Sequence, residues 1–167
     1  SHTLARRGFR VDAVELVQHN IDVFNSLTQH GEDVTIRQGN ALDLGCFEDN
    51  TFDLTLILGP MYHLFEESDR RQALREAVRV TQKGGVIFAA YCMLDACILC
   101  YGFARNELKD LIRENRIGLD RFTMLPNQMD LFHLCRREDI DALLEGLGVT
   151  RLHFVASDGY AKHMEHS

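Results

Sequence analysis

Tryptophan is absent from the 167 residues and proline occurs twice; neither scarcity by itself excludes a function. Other absences exclude more. The opening Ser1-His2-Thr3-Leu4-Ala5-Arg6-Arg7-Gly8 has no apolar stretch long enough for the hydrophobic region of a secretory signal. Nor is any run apolar enough to span a bilayer. The nearest, 86–103, falls short of the roughly 20 residues a helix needs, and Asp95 near its centre would cost about 3 kcal/mol. The expectation is a soluble, cytoplasmic chain with no membrane partner. Clustered positive charge is missing too. Eighteen Lys and Arg against twenty-five Asp and Glu leave a net charge of −7. The basic residues are scattered among acids, as in Arg70-Arg71-Gln72-Ala73-Leu74-Arg75-Glu76. Phosphate backbones and anionic lipid call for concentrated Lys and Arg, so nucleic acid is not an expected partner. No repeat, low-complexity tract or linker divides the chain, so one domain over 1–167 is expected, long enough to bury a core.

Five cysteines are an odd number in a chain too large to need staples, which points to a reducing compartment. Cys92, Cys97, Cys100 and Cys135 have the spacing of a plant-type iron–sulfur site. However, Cys92 closes an apolar strand, while Cys97 and Cys100 lie on an apolar helix with Ile98, Leu99, Tyr101 and Phe103. Core packing of the thiols is the expectation, with no metal. His163 and His166 form a histidine pair without a third ligand, read as a frayed helix end.

What is present is an alternation of short apolar runs and helical patterns. Val11 to Leu16 reads as a strand, and a helix follows over 18–29, with Ile21, Phe24 and Leu27 on one face and Gly31 as its stop. Val34 to Gln38 is a β-branched strand. Phe52 to Leu58 is a nearly continuous apolar run, the pattern of a strand buried on both faces. A helix over 68–81 carries Ala73, Leu74, Ala77 and Val78, with Ser68 as its cap. Lys83-Gly84-Gly85 then turns the chain into a strand from Val86 to Tyr91. Beyond it the pattern predicts a helix from Asp95, as N-cap, to Asn115, another over 137–147, and a last strand from Val149 to Ala156. The segment 95–148 is read as a helical, lid-like region on the substrate side. Strand–helix alternation of this length means an α/β fold with a doubly wound, mostly parallel sheet, whose ligands bind beyond the carboxyl ends of the strands.

At those ends stand Glu15 and Leu16 after the first strand, Gly39-Asn40-Ala41 after the second, and Leu58-Gly59-Pro60-Met61-Tyr62-His63-Leu64 after the third. An acid at a strand end can accept both hydroxyls of a ribose. An amide followed by small and apolar residues suits an adenine ring. With Gly8-Phe9-Arg10-Val11 leading to Glu15, Phe52-Asp53 opening a strand and Lys83-Gly84-Gly85 before the next, the ordered set resembles the class I S-adenosylmethionine-dependent methyltransferases. The likeness runs from Leu4 to about Cys92. The run from Gly59 to Leu64 resembles a bacterial, small-molecule-type subgroup, and 152–160 resembles it more loosely. The resemblance implies a Rossmann-like methyltransferase fold with S-adenosylmethionine as cofactor. Glu15 with Leu16 would lie at the ribose, Gly39, Asn40 and Ala41 at the adenine, and Leu58 and Gly59 near the methionine moiety. Two departures stand out: Asn40 replaces the family's usual Asp, and the glycine-rich loop after the family's first strand is not in the sequence. The fold is therefore expected to be incomplete at both ends. The absent first strand is central in the family's sheet, so 11–16 and 52–58 are expected to lack the strand between them unless another segment fills it.

Methyl transfer from a sulfonium is an in-line displacement in which orientation and desolvation dominate, with a base needed only for an acceptor that holds its proton. Tyr62 and His63 are the candidate catalytic residues, the imidazole being suited to proton transfer near neutrality. Tyr91 is a further substrate-side candidate. The expected acceptor is a small molecule, and a homodimer is compatible with the reading. Two alternatives stay open: a non-catalytic cofactor- or partner-binding remnant, and an NAD(P)-dependent reductase, which would need a Gly-x-Gly-x-x-Gly upstream.

Overall fold

A computed structural model describes residues 1–120, 122–125 and 130–156. After a short helix α1 (His2–Ala5), strand β1 (Val11–Glu15) runs parallel to β2 (Val34–Gln38) in unbroken register, Val11 opposite Val34 and Glu15 opposite Gln38. Helix α2 (Gln18–Leu27) makes the crossover and buries Ile21, while Leu27 stays exposed. Gly31, in the left-handed region at φ +90°, reverses the chain into β2.

The second parallel pair is β3 (Phe52–Ile57) with β4 (Thr81–Ala89). Between them lie a single turn, α3 (Pro60–His63), and the long helix α4 (Glu67–Val80). Helix α4 starts one residue earlier than the sequence pattern implies. Glu66 is its N-cap residue and Ser68 does not cap it. Glu67 and Asp69 instead place negative charge against the positive end of its dipole. Its buried stripe is Ala73, Leu74, Ala77 and Val80, Val78 being only half-buried. Lys83-Gly84-Gly85 does not precede β4 but bulges within it: Thr81 faces Phe52, and the ladder resumes with Val86 facing Leu54. Gly84 needs φ +81°, and a Cβ on Gly85 would come within 2.7 Å of Thr81 Cγ2 and 2.9 Å of the Asp53 carbonyl. Gly84 follows from its left-handed backbone and Gly85 from that crowding.

The two pairs are not joined. Among the described residues β1 pairs only with β2 and β3 only with β4. The apolar run of β3 is therefore not buried on both faces. Ile57 is buried, but Leu54 and Leu56 are 38% and 42% exposed, because one long edge of the strand meets no neighbouring backbone. The main core forms where β3 ends, from Ile57, Met61, Ala73, Leu74 and Ala77, with Leu143 from helix α7 (Arg137–Leu144). Arg71 fastens α7 to α4 by donating to the carbonyls of Ala142 and Glu145, both at 2.9 Å.

The segment after β4 departs most from the periodicity. The helix expected over 95–115 is broken into α5 (Leu94–Cys97), a π-helical stretch Ile98–Ala104, and α6 (Leu108–Arg113). Asn106, at φ 58°, turns the chain between the last two. Asp95 sits within the first turn of α5, whose N-cap residue is Met93, and it pairs with Arg136 at 3.2 Å. Short strands complete the region: β5 (Cys92–Met93) parallel to β8 (Leu134–Cys135), and β6 (Ile117–Gly118) antiparallel to β7 (Thr123–Met124). Leu94, Ile98 and Ile117 form a separate small core there. The strand expected over 149–156 is not formed, since no backbone pairs with it among the described residues. Residues 157–160, His163 and His166 lie outside the described residues.

All five cysteines are free; Cys135 is buried, Cys92, Cys97 and Cys100 are half-buried, and Cys46 is exposed. Among the described residues no helix is long and apolar enough to cross a membrane, and no group of three His, Cys, Asp or Glu side chains is placed to hold a metal.

Candidate functional site

The carboxyl ends of β1 and β2 bring together the residues singled out in the sequence. The amide of Gly39 donates to the Glu15 carbonyl at 3.0 Å, and Gln38 Nε2 donates to the Leu16 carbonyl at 3.2 Å. This approach requires glycine, because a Cβ at position 39 would lie 2.9 Å from Val14 Cγ1. Glu15 Oε1 accepts from the Val17 amide at 2.9 Å and from Asn20 Nδ2 at 3.1 Å, which ties it to the start of α2. Oε2 has no hydrogen-bond partner among the described residues. One oxygen is thus fixed by the fold and the other remains open to a ligand.

Asn40 opens the next turn. Its Oδ1 accepts from the Leu42 amide at 3.0 Å and its carbonyl accepts from the Asp43 amide at 3.0 Å. The side-chain carbonyl is therefore engaged locally, leaving the amide nitrogen as the group to present to a ligand. Ala41 and Leu42 pack against the core that holds Ile57 and Met61, which ties this turn to the end of β3. The loop behind it is fastened to α4. Arg79 donates to the carbonyls of Leu44 and Phe47 and to the carboxylates of Glu76 and Asp49, while Glu76 accepts from the Leu44 amide at 2.7 Å. Arg79 in turn holds the Glu76 carboxyl below its ordinary range, against an opposing effect of burial.

At the end of β3, Leu58 is exposed and Gly59 precedes α3. Tyr62 and His63 do share one surface, but their polar atoms differ in freedom. The Tyr62 hydroxyl donates to the Leu58 carbonyl at 2.8 Å. His63 Nδ1 lies 3.2 Å from the Leu131 carbonyl. A carbonyl can only accept, so in the neutral ring the proton sits on Nδ1 and Nε2 has the lone pair. Phe132 packs against both rings, at 5.6 Å from Tyr62 and 5.3 Å from His63, and the His133 amide donates to the Tyr62 carbonyl at 2.8 Å. Residues 131–133 therefore overlie the turn after β3, a contact no spacing in the sequence signals.

Two cavities open near these strand ends. One of about 410 Å³ flanks α2, between His2, Glu15, Asn20, Phe24 and Ile36. Its wall includes Glu32's partner His2, which stacks on Phe24 at 4.2 Å. Burial would raise the Glu32 carboxyl, but the Gln29 amide, His2 and Arg6 outweigh it and bring it from an ordinary 4.5 to about 2. The other cavity, about 270 Å³, lies between the amino-terminal end of α4 and one side of α7, next to the end of β4. Arg70, Tyr91 and His133 face it. Of these only Tyr91 was marked by its position after a strand; Arg70 and His133 sit in ordinary helical and loop sequence. Burial pushes the Tyr91 phenol up to about 12 and moves His133 below its usual range, where Arg70 adds to the effect.

Parallel strand pairs with helical crossovers, and polar groups gathered at their carboxyl ends, define a Rossmann-like α/β fold of the nucleotide-cofactor type. Residues 1–89 match the family model of the methyltransferase domain, and the chain belongs to that family, the class I S-adenosylmethionine-dependent methyltransferases. Solved structures share the fold. A SAM-dependent methyltransferase from Methanosarcina mazei superposes with a TM-score of 0.62 at 14% identity, over 87% of this chain and 71% of that one. The PH0226 protein from Pyrococcus horikoshii OT3 does so with a TM-score of 0.57 at 20% identity, over 84% of this chain and 63% of that one. No curated protein is significantly similar in sequence.

Proposed function

We propose that the chain binds S-adenosylmethionine across the ends of β1, β2 and β3 and transfers its methyl group to a small-molecule acceptor. The observation that carries this reading is Glu15: one carboxylate oxygen is locked to the start of α2, the other is uncommitted, and the Gly39 amide joins its backbone to the Gly39–Ala41 turn. That set fits an adenosyl group. Glu15 Oε2 would accept from the ribose hydroxyls, Leu16 would flank the sugar, and Asn40 with Ala41 would meet the adenine through an amide nitrogen and an apolar surface. Leu58 and Gly59 would border the methionine portion.

When bound, the cofactor supplies a methyl group on a sulfonium, already a good leaving group. The protein's contribution is then orientation and exclusion of water. Phe132, Tyr62 and His63 form an aromatic wall suited to excluding water beside Gly59. Tyr62, its proton committed to Leu58, acts in positioning. His63 Nε2 is the atom that would take a proton from an acceptor that retains one. Residues 95–148 would form the acceptor side.

Calorimetric titration of the full chain with S-adenosylhomocysteine, and separately with NADH, tests the reading. Binding of the former and not the latter is expected; binding of NADH alone would overturn it in favour of a reductase.

A further inference from the structure

The second cavity is lined by an arginine that forms no ion pair among the described residues. Arg70 is only 8% exposed. Its Nη1 donates to the carbonyls of Leu64 at 2.8 Å and Phe65 at 2.7 Å, which hold it in place after α3. Its Nε is buried without a partner, and among the described residues the guanidinium pairs with no carboxylate. Both Nη1 protons are taken by those carbonyls and Nε is closed to solvent, so Nη2 is the nitrogen left to meet a carboxylate in a charge-assisted hydrogen bond. The two acids that line the same cavity form no ion pair with Arg70 among the described residues. Glu67 stands in the first turn of α4, and Asp139 accepts from the Arg136 amide at 2.7 Å in the first turn of α7. Each offsets the dipole of its own helix.

Two further polar groups facing the cavity make no hydrogen bond among the described residues. Neither the Tyr91 hydroxyl nor the His133 ring hydrogen-bonds to another described residue, and both line the same cavity as Arg70. Cys135, the remaining titratable group there, donates to the Cys92 carbonyl at 3.7 Å. Two of its lining residues are tied to the turn where methyl transfer is proposed. Tyr91 follows two residues after β4 ends at Ala89, which pairs with Ile57 of β3, and the His133 amide is bonded to Tyr62.

Resting on the proposed methyl transfer, we infer that the acceptor is a small monocarboxylate whose acid group is held in this cavity by Arg70, with Tyr91 and His133 as its hydrogen-bonding partners. One guanidinium balances one negative charge. Glu67 and Asp139 in the same wall disfavour a doubly charged phosphate, and a space of about 270 Å³ admits only a compact molecule.

Benzoate is a suitable probe, with benzamide as its neutral counterpart and inorganic phosphate as the rival anion. Each is titrated into the full chain and followed by amide NMR, with and without S-adenosylhomocysteine. Benzoate is expected to shift the amides of Tyr91, His133 and Asp139, benzamide to leave them unmoved, and Tyr91→Phe to weaken benzoate about two- to tenfold. The Phe variant keeps the ring and its packing, whereas Arg70→Gln, which also removes the hold on Leu64 and Phe65, is used only if its spectrum remains that of the folded protein. Equal shifts with benzamide, preference for phosphate, or no shift at these residues would overturn the inference. If benzoate fails while S-adenosylhomocysteine binds, the cavity assignment falls and the methyltransferase reading stands. If S-adenosylhomocysteine fails, that reading falls, and with it the role of the cavity as an acceptor site.

Discussion

Replacing Glu15 by Gln separates its two tasks. In the fold, Oε1 accepts from the Val17 amide and Asn20 Nδ2, which the carbonyl oxygen of Gln can still do. The oxygen lost is the uncommitted one, and with it the negative charge that would receive the ribose hydroxyls. A hydrogen bond to a charged group contributes about 1.5–3 kcal/mol, so Glu15→Gln should weaken S-adenosylhomocysteine about ten- to a hundredfold. Thermal stability should move little. Glu15→Ala should weaken binding comparably and also remove the hydrogen bonds from the Val17 amide and Asn20, at a cost of about 1 kcal/mol. Calorimetry paired with thermal unfolding resolves the two effects. A Gln variant whose Kd stays within twofold of the parent would refute the assignment of Glu15 to the ribose. So would a loss of affinity that merely tracks a lowered melting temperature.

Other outcomes follow from packing and charge. Met61 is completely buried at the centre of the main core; Met61→Ala should cost about 3 kcal/mol and lower Tm by roughly 6–12 °C, and a fall under 2 °C by calorimetry would contradict that packing. The Glu32 carboxyl is depressed in the folded chain, so its stabilising contribution is complete above pH 4.5 and is lost as pH falls toward about 2. NMR signals of α1 should therefore change over that window in the parent and not in Glu32→Gln; identical profiles would exclude the His2–Glu32–Arg6 cluster as the cause. Amides of β1 and β3 on the edges away from β2 and β4 should exchange with deuterium much faster than those within each pair. Uniform protection along either strand would show that those edges are covered.

Much of the chain could be read locally. Val34 to Gln38 is the strand its β-branched residues imply, and the helical stripe through Ala73, Leu74 and Ala77 is buried as its spacing requires. These features depend on side-chain period and backbone preference, which neighbours in sequence determine. Glu15, Gly39 and Asn40 were legible for a related reason. In a parallel α/β fold a residue's place after a strand already fixes which face of the molecule it occupies. The same logic marked Tyr62, His63 and Tyr91.

Local pattern failed where the outcome depends on distant backbone. The apolar run of β3 reads as buried on both faces, but burial depends on which strands flank it. The stretch after Asp95 reads as one helix, yet it breaks through a π-helical segment and a left-handed Asn106 to form a small core with Ile117. The meeting of Arg70, Tyr91 and His133 could not be read at all, because it arises from three separate segments folding against each other: α4, the stretch after β4 and the loop before β8. Sequence alone determined the class of fold, the family and the strand-end residues, since those follow from periodicity and order along the chain. Tertiary structure alone decided which oxygen of Glu15 is free, which nitrogen of His63 faces the Leu131 carbonyl and which buried arginine forms no ion pair among the described residues, since each depends on partners that only the folded chain brings within bonding distance.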